Sequence, residues 1–157
     1  MEIELTDFKI AVFDIFKVTE VKDIEEKVLD CVLSHDEQKY EAFLKLVHGD
    51  LDDDPIRALF QYYLADRDNK KQDFTPKCLS NLVLSLAGSS DLLIDQCAGI
   101  GSIAIYDKLK RPIHAIEIDD SAIPFLLFNL AIRNLNATVY QGDAIKKDYK
   151  AIYKLTP

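Results

Sequence analysis

Acidic side chains end three successive apolar runs in the second half of this sequence. The acids are Asp95 after the first run, Glu117 and Asp119 after the second, and Asp143 after the third. Short apolar runs of this kind are typical of buried strands, and the carboxyl ends of parallel strands meet at one edge of a sheet. The spacing therefore predicts a polar rim around one ligand-binding crevice.

A glycine loop follows the first of these acids. The segment CAGIG contains Gly99 and Gly101, which let the backbone turn sharply and approach a ligand with no side chain between. The carboxylate of Glu117, one strand later, stands where a ribose diol is held in nucleoside sites. Asp143 lies one strand further along and is placed to accept a hydrogen bond from an adenine amino group. The pattern favours a nucleoside ligand.

Two cofactors fit this outline. The hexapeptide GIGSIA matches the loose dinucleotide fingerprint G-x-G-x-x-G/A, which on its own is a weak signal for NAD. A dinucleotide places its pyrophosphate at the start of the helix after the loop, where the carboxylate of Asp95 would repel it. S-adenosylmethionine has no phosphate and carries an ammonium group. Asp95 therefore favours S-adenosylmethionine as the cofactor.

The elements that must position these residues begin with a helical lead-in. Residues 1–72 are expected to form a small helical region, because apolar residues recur there at helical spacing. Asp54 and Pro55 form a typical helix start, with the acid as N-cap and the proline in the first turn. No residue pattern in this region points to chemistry.

Residues 73–157 are expected to form an α/β domain. A helix with Thr75 as N-cap and Pro76 in its first turn precedes the first strand, and two more helices are predicted over GSIAIYDKL and SAIPFLLFNLAIRNL. Helices that alternate with strands imply right-handed crossovers in a parallel sheet. Three strands are predicted, about half of a doubly wound, Rossmann-like fold.

Composition and charge exclude several other classes of protein. The chain of 157 residues is 48% hydrophobic, yet it has no apolar run long enough for a membrane helix and no basic flank of a signal peptide, so a cytoplasmic location is expected. The cysteines and histidines show no metal-ligand spacing, so no metal site is expected, and the cysteines suit packed, reduced thiols. The net charge of -8 argues against a strong DNA clamp, since phosphate contacts need basic side chains.

Four motifs, taken in order, resemble the cofactor half of the adenine-specific DNA methyltransferases of restriction-modification systems, in the group that includes the type I modification subunit. The motifs are DFTP, DQCAGIG, IEID and YQGD, and they lie between about Asp73 and Ile145. The four in order are much more specific than any one alone. Gln96 departs from the family, which usually has proline there. The resemblance implies a partial Rossmann-like methyltransferase fold that binds S-adenosylmethionine.

The resemblance also assigns cofactor-binding residues. They are Phe74, Thr75 and Pro76 at the methionine end, Asp95, Cys97, Gly99 and Gly101 in the loop, Glu117 at the ribose, and Ile118 and Asp143 at the adenine. Structural alternatives stay open for two of these assignments. Thr75 and Pro76 also make a good helix start, and Cys97 also suits a packed thiol.

The family's catalytic motif, Asn or Asp followed by Pro-Pro and an aromatic residue, does not occur in this sequence. In the family this motif holds the flipped target base, so no catalytic residue is assigned and enzyme activity stays open. Three interpretations remain: a truncated part of a longer methyltransferase, a non-catalytic regulator or partner subunit, and a chain that lends its cofactor site to a second polypeptide. Each places the DNA contacts in a missing domain or partner subunit, and an open sheet edge favours pairing with a partner or a second copy.

Overall fold

The computed structural model of the chain describes residues 4–65, 73 and 75–157. The chain divides into two compact units, Met1–Phe74 and Thr75–Pro157. The first unit is helical, and the second combines helices with one sheet, so the fold class is α/β. Within the described ranges, no helix has both the length and the apolar character that crossing a membrane requires.

The described part of the first unit contains four α-helices and one 3-10 turn, Val21–Asp23. The α-helices are α1 Leu5–Phe16, α2 Ile24–Leu33, α3 Glu37–Leu46 and α4 Pro55–Tyr63. Its core is rich in aromatic side chains, and the rings of Phe8 and Phe43 meet edge to face with centroids 6.2 Å apart. Asp54 caps α4 as predicted, because its carboxylate accepts a hydrogen bond from the N–H of Arg57. The helical lead-in expected from the sequence is thus built by ordinary amphipathic packing.

The second unit contains α5 Lys77–Ala87, β1 Leu93–Asp95, β2 Ile113–Glu117, α6 Ile123–Ile132, β3 Ala137–Asp143 and β4 Asp148–Leu155. The strands lie in the order β1-β2-β3-β4. The first three are parallel, as predicted, while β4 runs antiparallel to β3. The sheet is therefore mixed and four-stranded, which corrects the prediction of about three parallel strands.

Strand β4 exists because the chain turns back directly after β3. The carboxylate of Asp143 accepts hydrogen bonds from the N–H groups of Ile145 and Lys146 and so closes the turn. Gly142, with φ of +153°, faces Tyr149 at an irregularity in the pairing, where an added Cβ would clash with the carbonyl oxygen of Asp148. This hairpin covers the β3 edge of the sheet, and among the described residues the outer edge of β1 has no strand beside it.

The helix predicted over GSIAIYDKL is wrong, since only a 3-10 turn forms, over Ala104–Tyr106. The physical reason is the side chain of Asp107. Its carboxylate accepts hydrogen bonds from the N–H groups of Leu109 and Arg111, which in a continuing helix would bond to backbone carbonyls one turn earlier. The chain therefore leaves the helical path soon after the glycine loop.

The predicted start of α5 is also wrong by one residue. The helix begins at Lys77, and Pro76 occupies the N-cap position with an extended ψ of 150°. Thr75 thus lies outside the helix and does not serve as its N-cap. The predicted end is correct, because Gly88 is the C-cap residue with a positive φ of 67°.

A buried ion pair ties the end of α5 to the segment before β2. The guanidinium of Arg111 donates to the carboxylate of Asp107 at 2.8 and 3.2 Å, and also to the carbonyl oxygen of Gly88 and the hydroxyl of Ser90. Burial raises the pKa of Asp107, but the hydrogen bonds from Arg111 and Leu109 and the charge of Arg111 together outweigh it and leave that pKa below its ordinary value of 3.8. The pair therefore stabilises the fold while Asp107 is ionised.

Replacing Arg111 with methionine is expected to lower the free energy of unfolding by about 3 kcal/mol, because it leaves a buried carboxylate uncompensated. Urea denaturation followed by tyrosine fluorescence measures the loss. The matched control Lys108→Met removes an exposed cation nearby and is expected to cost less than about 0.5 kcal/mol. The difference in unfolding free energy between wild type and Arg111→Met should shrink as the pH falls below 3.8 and through the lowered pKa of Asp107. Equal losses in both variants would contradict a structural role for the pair.

Candidate functional site

The register of the sheet places three of the predicted acids at one edge. Asp95 pairs with Ala115, which lies two residues before Glu117. Glu117 pairs with Gln141, which lies two residues before Asp143. Because residues two apart on a strand share a face, Asp95 and Glu117 project to the same side at the C-terminal edge of the sheet. Asp143 ends β3 at the same edge, beyond the pairing irregularity at Gly142. The acids at the ends of β1, β2 and β3 therefore lie along one edge of the sheet.

Glu117 is the centre of this arrangement. One of its carboxylate oxygens accepts a hydrogen bond from the N–H of Gly99 at 2.7 Å, and the other accepts from the N–H of Asp119 at 2.7 Å. The first bond joins the end of β2 to the middle of the glycine loop. A carboxylate oxygen has two acceptor sites, so each oxygen of Glu117 can also accept from a ligand hydroxyl.

The glycine loop is folded tightly against β2 and α6. The N–H of Ala98 donates to the carbonyl oxygen of Ile116, and the N–H of Gly101 donates back to the carbonyl of Ala98 at 2.8 Å. Gly99 and Gly101 both have left-handed φ values, of 54° and 94°. At Gly101 a Cβ would also meet a side-chain carbon of Leu126 on α6 at 3.0 Å. The loop therefore needs glycine at Gly101, while the left-handed φ of Gly99 favours glycine there.

Asp95 lies at the base of the loop, where its carboxylate accepts a hydrogen bond from the N–H of Cys97 at 3.2 Å. Burial raises the pKa of Asp95, and the nearby negative charge of Glu117 raises it further. Ionised Asp95 is therefore disfavoured in the fold, and a positive group beside the two carboxylates would stabilise both. Cys97 itself is exposed, as is Cys78, so the interpretation of these two as packed thiols is wrong; Cys31 is buried.

Asp143 has a structural role beside its predicted one. One of its carboxylate oxygens accepts from the N–H groups of Ile145 and Lys146, at 2.8 and 3.0 Å. The hydrogen bond from the N–H of Lys146 is the main cause that lowers the pKa of Asp143 below its ordinary value. The second oxygen lies 3.7 Å from the ammonium of Lys146. That oxygen has acceptor capacity for a ligand amino group.

Two exposed isoleucines follow the strand ends. The side chain of Ile118, directly after Glu117, is 60% exposed, and that of Ile145, in the turn after Asp143, is 93% exposed. Sequence reasoning selected Ile118 but missed Ile145. The signal available for it was an apolar residue inside the polar turn GDAIKKD.

The residues assigned to the methionine end are less well placed by the structure. Phe74 lies outside the described residues. Thr75 and Pro76 lead into α5, and the ammonium of Lys77 sits 5.3 Å from the ring centroid of Tyr106 in the 3-10 turn after the loop. The start of α5 is thus close to the segment that leaves the loop.

Comparison with protein-family models, with curated proteins and with solved structures gave no match for this chain. The chemistry of the site is therefore inferred from its own residues. In the described ranges, no three or more His, Cys, Asp or Glu side chains are grouped to hold a metal ion.

Asp95→Asn is expected to raise the melting temperature at pH 7, because the ionised carboxylate is disfavoured by burial and by Glu117. The pKa of folded Asp95 lies above its ordinary value of 3.8, so the destabilisation is complete above the raised pKa and absent below 3.8. Melting curves of both proteins should therefore converge as the pH is lowered. Asp91→Asn, at the exposed start of the β1 segment, is the matched control with no expected change. A lower melting temperature for Asp95→Asn at pH 7 would refute this account.

Proposed function

We propose that the second unit binds S-adenosylmethionine at the C-terminal edge of β1–β3, as a Rossmann-like half-domain of a DNA adenine methylation system. The observation that carries the proposal is the hydrogen bond between the carboxylate of Glu117 and the N–H of Gly99. This hydrogen bond joins the glycine loop to the acid at the end of β2, so that both line the same side of the proposed site. In nucleoside sites of this topology, that acid accepts hydrogen bonds from the ribose hydroxyls.

The adenine ring fits the next part of the same edge. Ile118 and Ile145 offer exposed apolar surface after β2 and β3, against which a planar base can pack. The second carboxylate oxygen of Asp143 can accept a hydrogen bond from the exocyclic amino group of adenine. These neighbouring strand ends thus supply an acceptor for the ribose, an acceptor for the base and apolar contacts for its ring.

The same loop argues against NAD. A pyrophosphate is usually held by the N-terminus of an α-helix that follows the glycines. Here one turn, closed by the N–H of Ile105 on the carbonyl of Gly101, leads only into the 3-10 turn Ala104–Tyr106. Asp95 and Glu117 would also repel phosphate, whereas the ammonium of a methionine moiety is attracted to them.

Methyl transfer to DNA requires groups beyond this site. The chain has no Asn or Asp followed by Pro-Pro and an aromatic residue to hold a flipped adenine. The second unit contains 8 acidic and 9 basic residues, so its net charge is +1 and the first unit carries -9. We infer that a further domain or a partner subunit supplies both the DNA contacts and the catalytic motif.

Isothermal titration of the full chain with S-adenosylmethionine and, separately, with NAD tests the proposal. We expect binding of S-adenosylmethionine, and a loss of at least about tenfold in affinity for Glu117→Gln and Asp143→Asn, since each removes a charged acceptor. Asp91→Asn, before β1 at the opposite end of the strand, is the matched control and should bind like the wild type. Tighter binding of NAD, or unchanged affinity in both variants, would refute the assignment.

A second candidate function is a pure interaction module whose pocket is not used. It is favoured by a stripe on α5 at helical spacing, formed by Leu79, Leu82, Val83 and Leu86, with exposed fractions of 37–79%. Light scattering separates the two functions. A stable dimer that dissociates in the Leu82→Glu variant, together with no nucleoside binding, would support the interaction module. A monomer that binds S-adenosylmethionine would exclude it.

A further inference from the structure

Asn129 is a polar residue in the middle of the apolar helix α6. It is 1% exposed, and most of its neighbours on the helix are buried aliphatic or aromatic side chains. Its side-chain N–H donates to the carbonyl oxygen of Ile100, in the glycine loop, at 2.9 Å. Burial of an amide costs roughly 1–3 kcal/mol unless its hydrogen bonds are satisfied. The cost is offset here by a bond to the loop.

Arg133, one turn later on α6, fixes which way the amide points. Its guanidinium donates to the side-chain oxygen of Asn129 at 3.0 Å and to the backbone carbonyl of Asn129 at 3.1 Å. A guanidinium has only donors, so the amide oxygen must face Arg133. The amide N–H group must then face the carbonyl of Ile100.

The glycine loop is thus held at two adjacent residues, one by a side chain of β2 and the other by a side chain of α6. The N–H of Gly99 is bound by Glu117, and the carbonyl of Ile100 is bound by Asn129. The two bonds hold the peptide groups on either side of the Gly99–Ile100 peptide, so together they restrict the dihedral angles of Gly99 and Ile100. The bond from Asn129 thereby limits the orientations open to the N–H of Gly99.

We propose that Asn129 is a positioning residue for the nucleoside site, acting through Ile100 on the glycine loop and through the loop on Glu117. This inference rests on the proposed function, because the positioned groups are those assigned to the ligand. Asn129 itself does not touch the ligand. Its effect is to hold the loop in the conformation that the ligand meets, which reduces the ordering required on binding.

The test compares Asn129→Asp with wild type in the full chain. The substitution keeps the size and the acceptor for Arg133, but it removes the donor to Ile100. We expect at least about tenfold weaker binding of S-adenosylmethionine by titration. We also expect at least about tenfold faster amide hydrogen exchange at Gly99 and Gly101, measured without ligand, while the exchange of core amides such as Val139 changes much less.

Two further variants serve as controls for this test. Asn136→Asp makes the same substitution at an exposed position before β3 and should leave both measurements unchanged. Arg133→Met keeps the amide of Asn129 but allows its oxygen and nitrogen to exchange places. We therefore expect smaller changes in affinity and in amide exchange, in the same direction as for Asn129→Asp. Arg133→Met also serves as the test variant if Asn129→Asp does not fold.

Wild-type affinity of Asn129→Asp for S-adenosylmethionine would overturn the positioning role. Equally faster amide exchange at Gly99, Gly101 and Val139 would also overturn it, because that result marks a general loss of stability. Failure of the proposed function looks different, since the wild type would then not bind S-adenosylmethionine at all. In that case the hydrogen-exchange result alone decides. Acceleration confined to the loop supports Asn129 as its anchor, and no acceleration refutes it.

Discussion

The hydrogen bond from the N–H of Gly99 to the carboxylate of Glu117 is the contact on which the C-terminal edge of the sheet depends. It joins residues 18 positions apart and sets the loop against the strand that follows it. A charge-assisted bond of 2.7 Å is strong enough to hold a short loop that no following helix supports. With the bond from the N–H of Ala98 to the carbonyl oxygen of Ile116, it sets the loop beside the end of β2, where the acids of the strand ends lie.

The contacts around this bond replace the helix that usually follows such a loop. Asp107 diverts the chain after the 3-10 turn, and its pair with Arg111 fixes that segment to the end of α5. On the other side, α6 contributes Asn129 to the loop and Leu126 beneath Gly101. The loop is therefore supported by side chains rather than by helical backbone, which leaves it without the aligned N–H groups that bind phosphate.

The sequence predicts the parallel strands and the acids at their ends because both depend on local pattern, namely apolar runs and the residues that stop them. It fails where a side chain competes with the backbone. Asp107 removes a helix that the periodicity favours, and Asp143 closes the turn that leads into β4. The alternation of Tyr149, Ala151, Tyr153 and Leu155 with other residues is a strand signal that the prediction missed. Asn129 was equally hidden, since an asparagine in a helix carries no sign of a partner 29 positions away.

The charges at the base of the glycine loop bear on which ligands the site would favour. Burial and the charge of Glu117 raise the pKa of Asp95, so ionisation of Asp95 introduces an unfavourable interaction at the base of the loop. Proteins keep such interactions where a ligand relieves them, and the relief adds to the affinity of that ligand. A cationic group relieves this one and a phosphate aggravates it. The unfavourable charge pair of Asp95 and Glu117 is therefore the physical basis on which we propose an ammonium-bearing nucleoside rather than a dinucleotide at this edge.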